Sequence, residues 1–145
     1  GALRWAGSAR RHLPAYRDDV RFVHREGRLH NRITGRLPRL VARAAKEVVD
    51  DLLTTAGLEP VEIRRWAVHP GGDRILRAVA EKVGLSDEVL EPSRAVMRRC
   101  GNLSSATLGF VLEDLLSAAP TPGEHWIALT YGAGLSAHAL LFDTA

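Results

Sequence analysis

Residues 66–76 read Trp66-Ala67-Val68-His69-Pro70-Gly71-Gly72-Asp73-Arg74-Ile75-Leu76. The apolar run from Trp66 predicts a short buried strand. It stops at a histidine, after which Pro70 removes a backbone donor and Gly71 and Gly72 free the dihedrals for a sharp turn. Asp73 to Val83 then reads as a helix stopped by Gly84. A strand, a sharp turn and a helix within eighteen residues is the signature of an α/β layered fold.

The flanking sequence extends this pattern. Upstream, Leu40, Val41, Ala44, Ala45, Val48, Val49, Leu52 and Leu53 recur at amphipathic-helix spacing. Pro38 suits the first turn of that helix and Gly57 its C-terminal cap. Val20 to Val23 and Leu29 to Ile33 predict two short strands around a Glu26-Gly27 turn. Residues 1–18, Arg-rich and without a clear period, are expected to form an extension, with 19–145 as the single domain. Downstream, helices are expected over Glu91 to Arg99 and from about Leu103 to Leu116. Trp126 to Thr130 and Leu135 to Phe142 should be adjacent strands joined by the glycine turn Tyr131-Gly132-Ala133-Gly134.

The 145 residues, 46% of them apolar, suit one domain with a real core. No apolar run approaches the roughly 18 residues of a membrane span, and no leader pattern opens the chain. A single cysteine, Cys100, suits a reducing cytoplasm, where the protein is expected. The net charge of +3 hides an asymmetry: residues 1–45 hold eleven arginines against Asp18, Asp19 and Glu26. That segment lacks interleaved aromatics and any helix-turn-helix, RNA-binding or zinc signature, so neither a nucleic-acid partner nor a metal is expected and the arginines should be mostly solvated.

His69 ends a strand at the edge where α/β proteins gather ligand-binding groups. It has two readings: a buried, hydrogen-bonded histidine before a helix, or an imidazole donor to a developing oxyanion. Asn102, in Cys100-Gly101-Asn102-Leu103-Ser104-Ser105, likewise reads as a helix cap or as a fixed amide donor to an enolate. Cys100 reads as a small core residue.

His-Pro-Gly-Gly after a short strand, Gly-Asn-x-Ser-Ser thirty-three positions later and a terminal hairpin with a Gly-x-Gly turn together resemble the C-terminal half of a type III polyketide synthase. These chalcone-synthase-like enzymes of secondary metabolism have the thiolase fold, and the resemblance runs from about Val20 to Phe142. It implies a mixed sheet with packed helices and a terminal β-hairpin. It also implies decarboxylative Claisen condensation of malonyl-CoA onto a CoA-thioester starter, with His69 and Asn102 as catalytic donors. Gly71, Gly72, Arg74 and Ser104 would lie along the bound CoA thioester, and Asn31, Tyr131, Gly132, Ala133 and Gly134 would shape the cavity. No bound cofactor is implied beyond these CoA substrates.

The family's nucleophilic cysteine belongs to the N-terminal half, and Cys100 is not flanked like it. The resemblance therefore implies a sister half, in the same polypeptide or a separate chain, a homodimer of the whole enzyme, and no activity for this chain alone. The segment before Pro38 resembles dihydroxyphenylacetyl-CoA synthases, which use malonyl-CoA alone. A non-catalytic thiolase-like interaction module and a ketoacyl synthase III remain as other readings. The second usually carries Gln-Ala-Asn after the histidine.

Overall fold

The computed structural model describes residues 3–145. Its elements are β1 (Leu3–His12), β2 (Val20–Arg25), β3 (Arg28–Ile33), α1 (Leu37–Ala56), β4 (Ile63–Val68), α2 (Asp73–Val83), α3 (Glu91–Cys100), α4 (Ala106–Ser117), β5 (His125–Gly132) and β6 (Ser136–Thr144). Short 3₁₀ turns cover Pro14–Asp19 and Pro60–Glu62.

The main sheet has strand order β1-β6-β5-β4, with β4 and β5 parallel and the other pairs antiparallel. It is the mixed sheet with a terminal hairpin that the resemblance implies. Strand geometry sends alternate residues to opposite faces. Trp66, Val68, Ile127 and Leu129 meet α1 and α2 in one apolar cluster, while Ala67, Trp126 and Ala128 meet Val96 of α3 and Val111 and Leu115 of α4 in another. Both faces of Trp66–Val68 in β4 and Trp126–Leu129 in β5 are thus covered, which is why these stretches read as unbroken apolar runs.

The stripe on α1 is buried from Leu37 to Leu53, and Gly57 closes the helix in the left-handed conformation at φ 68°, its N–H bonding the carbonyls of Leu53 and Thr54. Asp19 is buried beside the start of α1, where both its oxygens accept hydrogen bonds from Arg36 and one also accepts from Thr34. These bonds hold its carboxyl below the usual range, with the Arg36 bonds the largest cause. They also tie the β2–β3 hairpin, a separate two-stranded sheet, to the helix bundle.

Three expectations are corrected. The Arg-rich segment expected as an extension is β1, which pairs with β6 from Leu3↔Thr144 to His12↔Ser136 with an irregularity between Trp5 and Gly7. An edge strand can be specified by backbone ladder bonds on one side, so it needs no apolar period. Helix α4 begins at Ala106 and not at Leu103, because Ser104 has φ 59° and the Leu103 N–H is taken by Thr107 Oγ1 at 2.8 Å. Tyr131 and Gly132 belong to β5, and the turn is Ala133-Gly134-Leu135.

The arginines of residues 1–45 are exposed except Arg11 and Arg21, which are half-buried. Several are ion-paired, among them Arg4 with Asp143 and Arg43 with Glu47.

Candidate active site

One cavity of about 330 Å³ gathers residues from five separate parts of the chain. It is bounded by the β2–β3 hairpin (Phe22, Asn31, Ile33), the start of α1 (Leu37, Val41), the β4–α2 turn with the start of α2 (His69, Gly71, Ile75), the loop before α4 (Asn102, Ser104) and the end of β5 (Tyr131, Gly132, Ala133). Of the residues singled out in the sequence, Gly72, Arg74 and Gly134 are not on its wall. Gly72 caps α2 at φ 136°, a conformation that favours glycine, and Gly134 donates its N–H to the Val20 carbonyl. Arg74 faces a different groove.

The sheet fixes His69. Its N–H donates to Leu129 O at 2.8 Å, extending the β4–β5 ladder by one bond beyond Val68. Its carbonyl accepts the Tyr131 hydroxyl, and the two rings meet edge to face with centroids 5.5 Å apart. Tyr131 is buried, and burial pushes its phenol far above the ordinary value, so it stays a donor. A Cβ at Gly71 would lie 3.0 Å from Tyr131 Cε2, which is why glycine stands there.

Burial also lowers the His69 pKa below 6.5, leaving the ring neutral near pH 7. Nδ1 is buried without a partner among the described residues. A buried N–H left unpaired costs more than an unpaired acceptor lone pair. The favoured tautomer therefore carries its proton on Nε2, the ring nitrogen left to the cavity side. The site thus presents a neutral N–H donor, not a cation.

Asn102 is exposed and its Oδ1 accepts the Ser104 N–H at 2.9 Å. The positive φ at Gly101 (71°) and Ser104 (59°) folds this loop back on itself. Because the amide oxygen is spent locally, the NH₂ is the end free to donate. This local bond is a side-chain turn in the loop and not the cap of α4. Cys100 is half-buried at the end of α3 and does not line the cavity.

Of the hairpin wall the sequence reading named Asn31 and missed Val20, Phe22 and Ile33. Val20 pairs with Ile33 and Phe22 with Asn31, so all four side chains lie on one hairpin face and line the cavity. The alternation Val20, Phe22 and Asn31, Ile33 was the available signal. Phe22 and Ile33 remain more than half exposed, as walls of an open cavity rather than core.

Residues 6–144 match the family of chalcone and stilbene synthases, C-terminal domain. The chain belongs to that family. Among its curated relatives, the α-pyrone synthesis polyketide synthase-like Pks18 of Mycobacterium tuberculosis is 33% identical over 120 residues, which cover 79% of this chain and 30% of the relative. The 3,5-dihydroxyphenylacetyl-CoA synthase of Streptomyces toyocaensis is 36% identical over 110 residues, 75% of this chain and 28% of that one. Among solved structures, PKS-I from the brown alga Ectocarpus siliculosus superimposes with a TM-score of 0.90 at 24% identity, over 99% of this chain and 40% of the other. The fungal type III polyketide synthase ORAS gives 0.84, also at 24% identity, over 99% of this chain and 41% of that one. The fold is therefore that of the C-terminal part of type III polyketide synthases. The chain spans about a third of the length of the curated relatives it matches. Among the described residues no helix is long and apolar enough to cross a membrane.

Proposed function

We propose that this chain is the charge-stabilising half of a decarboxylating Claisen condensation site, an acyltransferase acting on malonyl-CoA and a CoA-thioester starter. The observation that carries the reading is that His69 and Asn102, thirty-three positions apart, line one cavity; with Nδ1 buried and the Asn102 oxygen bonded to Ser104, each residue is left with an N–H to donate. The thioester carbonyl of malonyl-CoA accepts from His69 Nε2–H and the Asn102 NH₂. The bond to the carboxylate breaks, carbon dioxide leaves, and the electron pair moves onto that carbonyl oxygen as an enolate. Both donors hold the developing charge without transferring a proton. The enolate carbon then attacks an acyl thioester carried on a cysteine, forming the carbon–carbon bond as the thiolate leaves. In the reading nearest the dihydroxyphenylacetyl-CoA synthases, malonyl-CoA serves as starter as well.

The thiolate comes from a sister half of the fold. Its docking is supported by α4, whose sequence Ala106-Thr107-Leu108-Gly109-Phe110-Val111-Leu112 is apolar nearly all round while only Thr107, Val111 and Leu115 are buried. A helix of that kind is ordinarily covered on every side. The remaining face, with Gly109, Phe110, Leu112 and Leu116 beside Glu113 and Ser117, lines an open hollow of about 720 Å³. The whole enzyme is read as a cytoplasmic homodimer.

The test supplies malonyl-CoA to the chain alone and to the chain joined with the cysteine-bearing half, following carbon dioxide and acylated product. Product is expected from the joined protein only, and its loss on Asn102→Asp marks the amide donor. Sustained product from the isolated chain, surviving Cys100→Ala, overturns the division of labour. A joined protein that binds CoA but never decarboxylates malonyl-CoA favours a non-catalytic module.

A further inference from the structure

Two fully buried hydroxyls lie off the cavity wall, and the mechanism does not use them. Ser93, in the first turn of α3, and Thr107, in the first turn of α4, are both 0% exposed. Each accepts a backbone N–H from the immediate neighbour of a proposed donor. Ser93 Oγ accepts from Val68, the residue before His69, at 3.2 Å. Thr107 Oγ1 accepts from Leu103, the residue after Asn102, at 2.8 Å.

The topology explains why an acceptor is needed at each place. β4 is the last strand of its sheet, with β5 on one side only. Successive N–H groups of a strand point to opposite sides. The His69 N–H points to β5, where Leu129 O receives it, so the Val68 N–H points to the unpaired edge. There the hydroxyl of α3 satisfies it, as a buried backbone donor requires. At the other donor, Thr107 closes the loop in both directions. Its hydroxyl takes the Leu103 N–H while its own N–H donates to Ser104 O at 3.2 Å.

Between these two ties runs α3. It begins beside Val68 and ends at Cys100, where the Gly101 N–H reaches Met97 O, and Asn102 follows two residues beyond its last. Val96 packs the helix against Ala67 of β4 and Val111 of α4. Fixed helical rise makes Ser93 to Cys100 a span of about 10 Å. The helix is thus a strut from the strand that carries His69 to the loop that carries Asn102. Two donors that must reach one oxygen depend on their spacing, which neither residue sets by itself.

We propose that Ser93 and Thr107 are positioning residues for the condensation, tying α3 to β4 at one end and the Asn102 loop to α4 at the other, so that imidazole and amide stand at a fixed separation. The proposal rests on the condensation reading for what the two donors do. Each hydroxyl acts through its neighbour and not on substrate.

Ser93→Ala, Thr107→Val and the hydroxyl-bearing Thr107→Ser test it, with Leu52→Ala as a core variant at the end of α1 away from the cavity. In the 145-residue chain, nitrogen-15 spectra read the His69 ring and the Asn102 side-chain amide. Ser93→Ala should shift the first and Thr107→Val the second. In the joined protein, at a temperature where circular dichroism shows every variant folded, each should lower kcat for malonyl-CoA decarboxylation by about tenfold or more and leave KM within about twofold. The double variant should lose much less than the product of the two, because both relax one spacing. Thr107→Ser should restore kcat, and Leu52→Ala should leave it unchanged. Unmoved His69 and Asn102 signals, a wild-type kcat in either variant lacking its hydroxyl, an equal loss in Leu52→Ala, or losses that simply multiply overturns the proposal. Signals that shift as expected, in a joined protein whose unaltered form never decarboxylates malonyl-CoA, sink the condensation reading and uphold the two ties.

Discussion

Tyr131 donates its hydroxyl hydrogen to the backbone carbonyl of His69 and sets its ring edge against the imidazole, joining the end of β5 to the turn after β4. A Cβ at Gly71 would press within 3.0 Å of the same ring. Three residues far apart in function, a phenol, an imidazole and a glycine, therefore form one packed unit. Tyr131→Phe keeps the ring and deletes the bond, and is expected to cost about 1 kcal/mol. Gly71→Ala forces a methyl against a buried ring and should cost about 1–3 kcal/mol. Urea midpoints of the two variants check both values.

Asn102→Asp separates donor chemistry from loop structure. The carboxylate still accepts the Ser104 N–H but offers no hydrogen to an enolate oxygen. Stability should be nearly unchanged, while decarboxylation by the joined protein falls by about 10²–10³. His69→Ala is expected to lower the rate by a similar factor, with stability measured alongside because that ring is buried. Full activity in either variant would falsify the assignment of that residue.

His69 and Asp19 both make stability fall in acid, in different windows. Burial depresses the His69 pKa, so between the unfolded value near 6.5 and its lower folded value only the unfolded chain takes up a proton. Stability is therefore lost as pH drops through that interval, and His69→Gln should flatten this part of the curve. Asp19, held low chiefly by Arg36, contributes stability above the ordinary carboxylate value near 3.8 that disappears as pH falls through its lower folded value. The gap between wild type and Asp19→Asn should close in that range. Urea midpoints against pH, with the two variants in parallel, resolve both windows.

Removing residues 1–12 deletes β1 and leaves the β6 edge without its partner. An unpaired edge with Ala137, Ala139 and Leu141 alternating along it is a template for pairing with another chain. The truncated protein should self-associate in sedimentation experiments more than the full chain does. A monomer of unchanged stability would mean that β1 is dispensable.

The sequence by itself determined the elements whose reasons are local. The stripe from Leu40 to Leu53 could only be an amphipathic helix ending at Gly57, and α2 from Asp73 to Val83 has the expected bounds. His-Pro-Gly-Gly and Gly-Asn-x-Ser-Ser were legible as candidate chemistry because sharp turns demand particular residues. Tertiary structure decided the rest. β1 is a strand because β6 offers it a ladder of backbone bonds, a reason no side-chain period encodes. Ser104 at positive φ delays α4, because the loop bonds of Asn102 and Thr107 outweigh the helical start that the sequence suggests. The cavity is the clearest case. Its walls come from the hairpin, two helix starts, two loops and the end of β5, and only packing brings His69 to the same hollow as Asn102, Phe22 and Ile33. Local sequence sets backbone conformation through short-range sterics and hydrogen bonding, whereas a site is a relation between distant segments that exists once the core has fixed their distances.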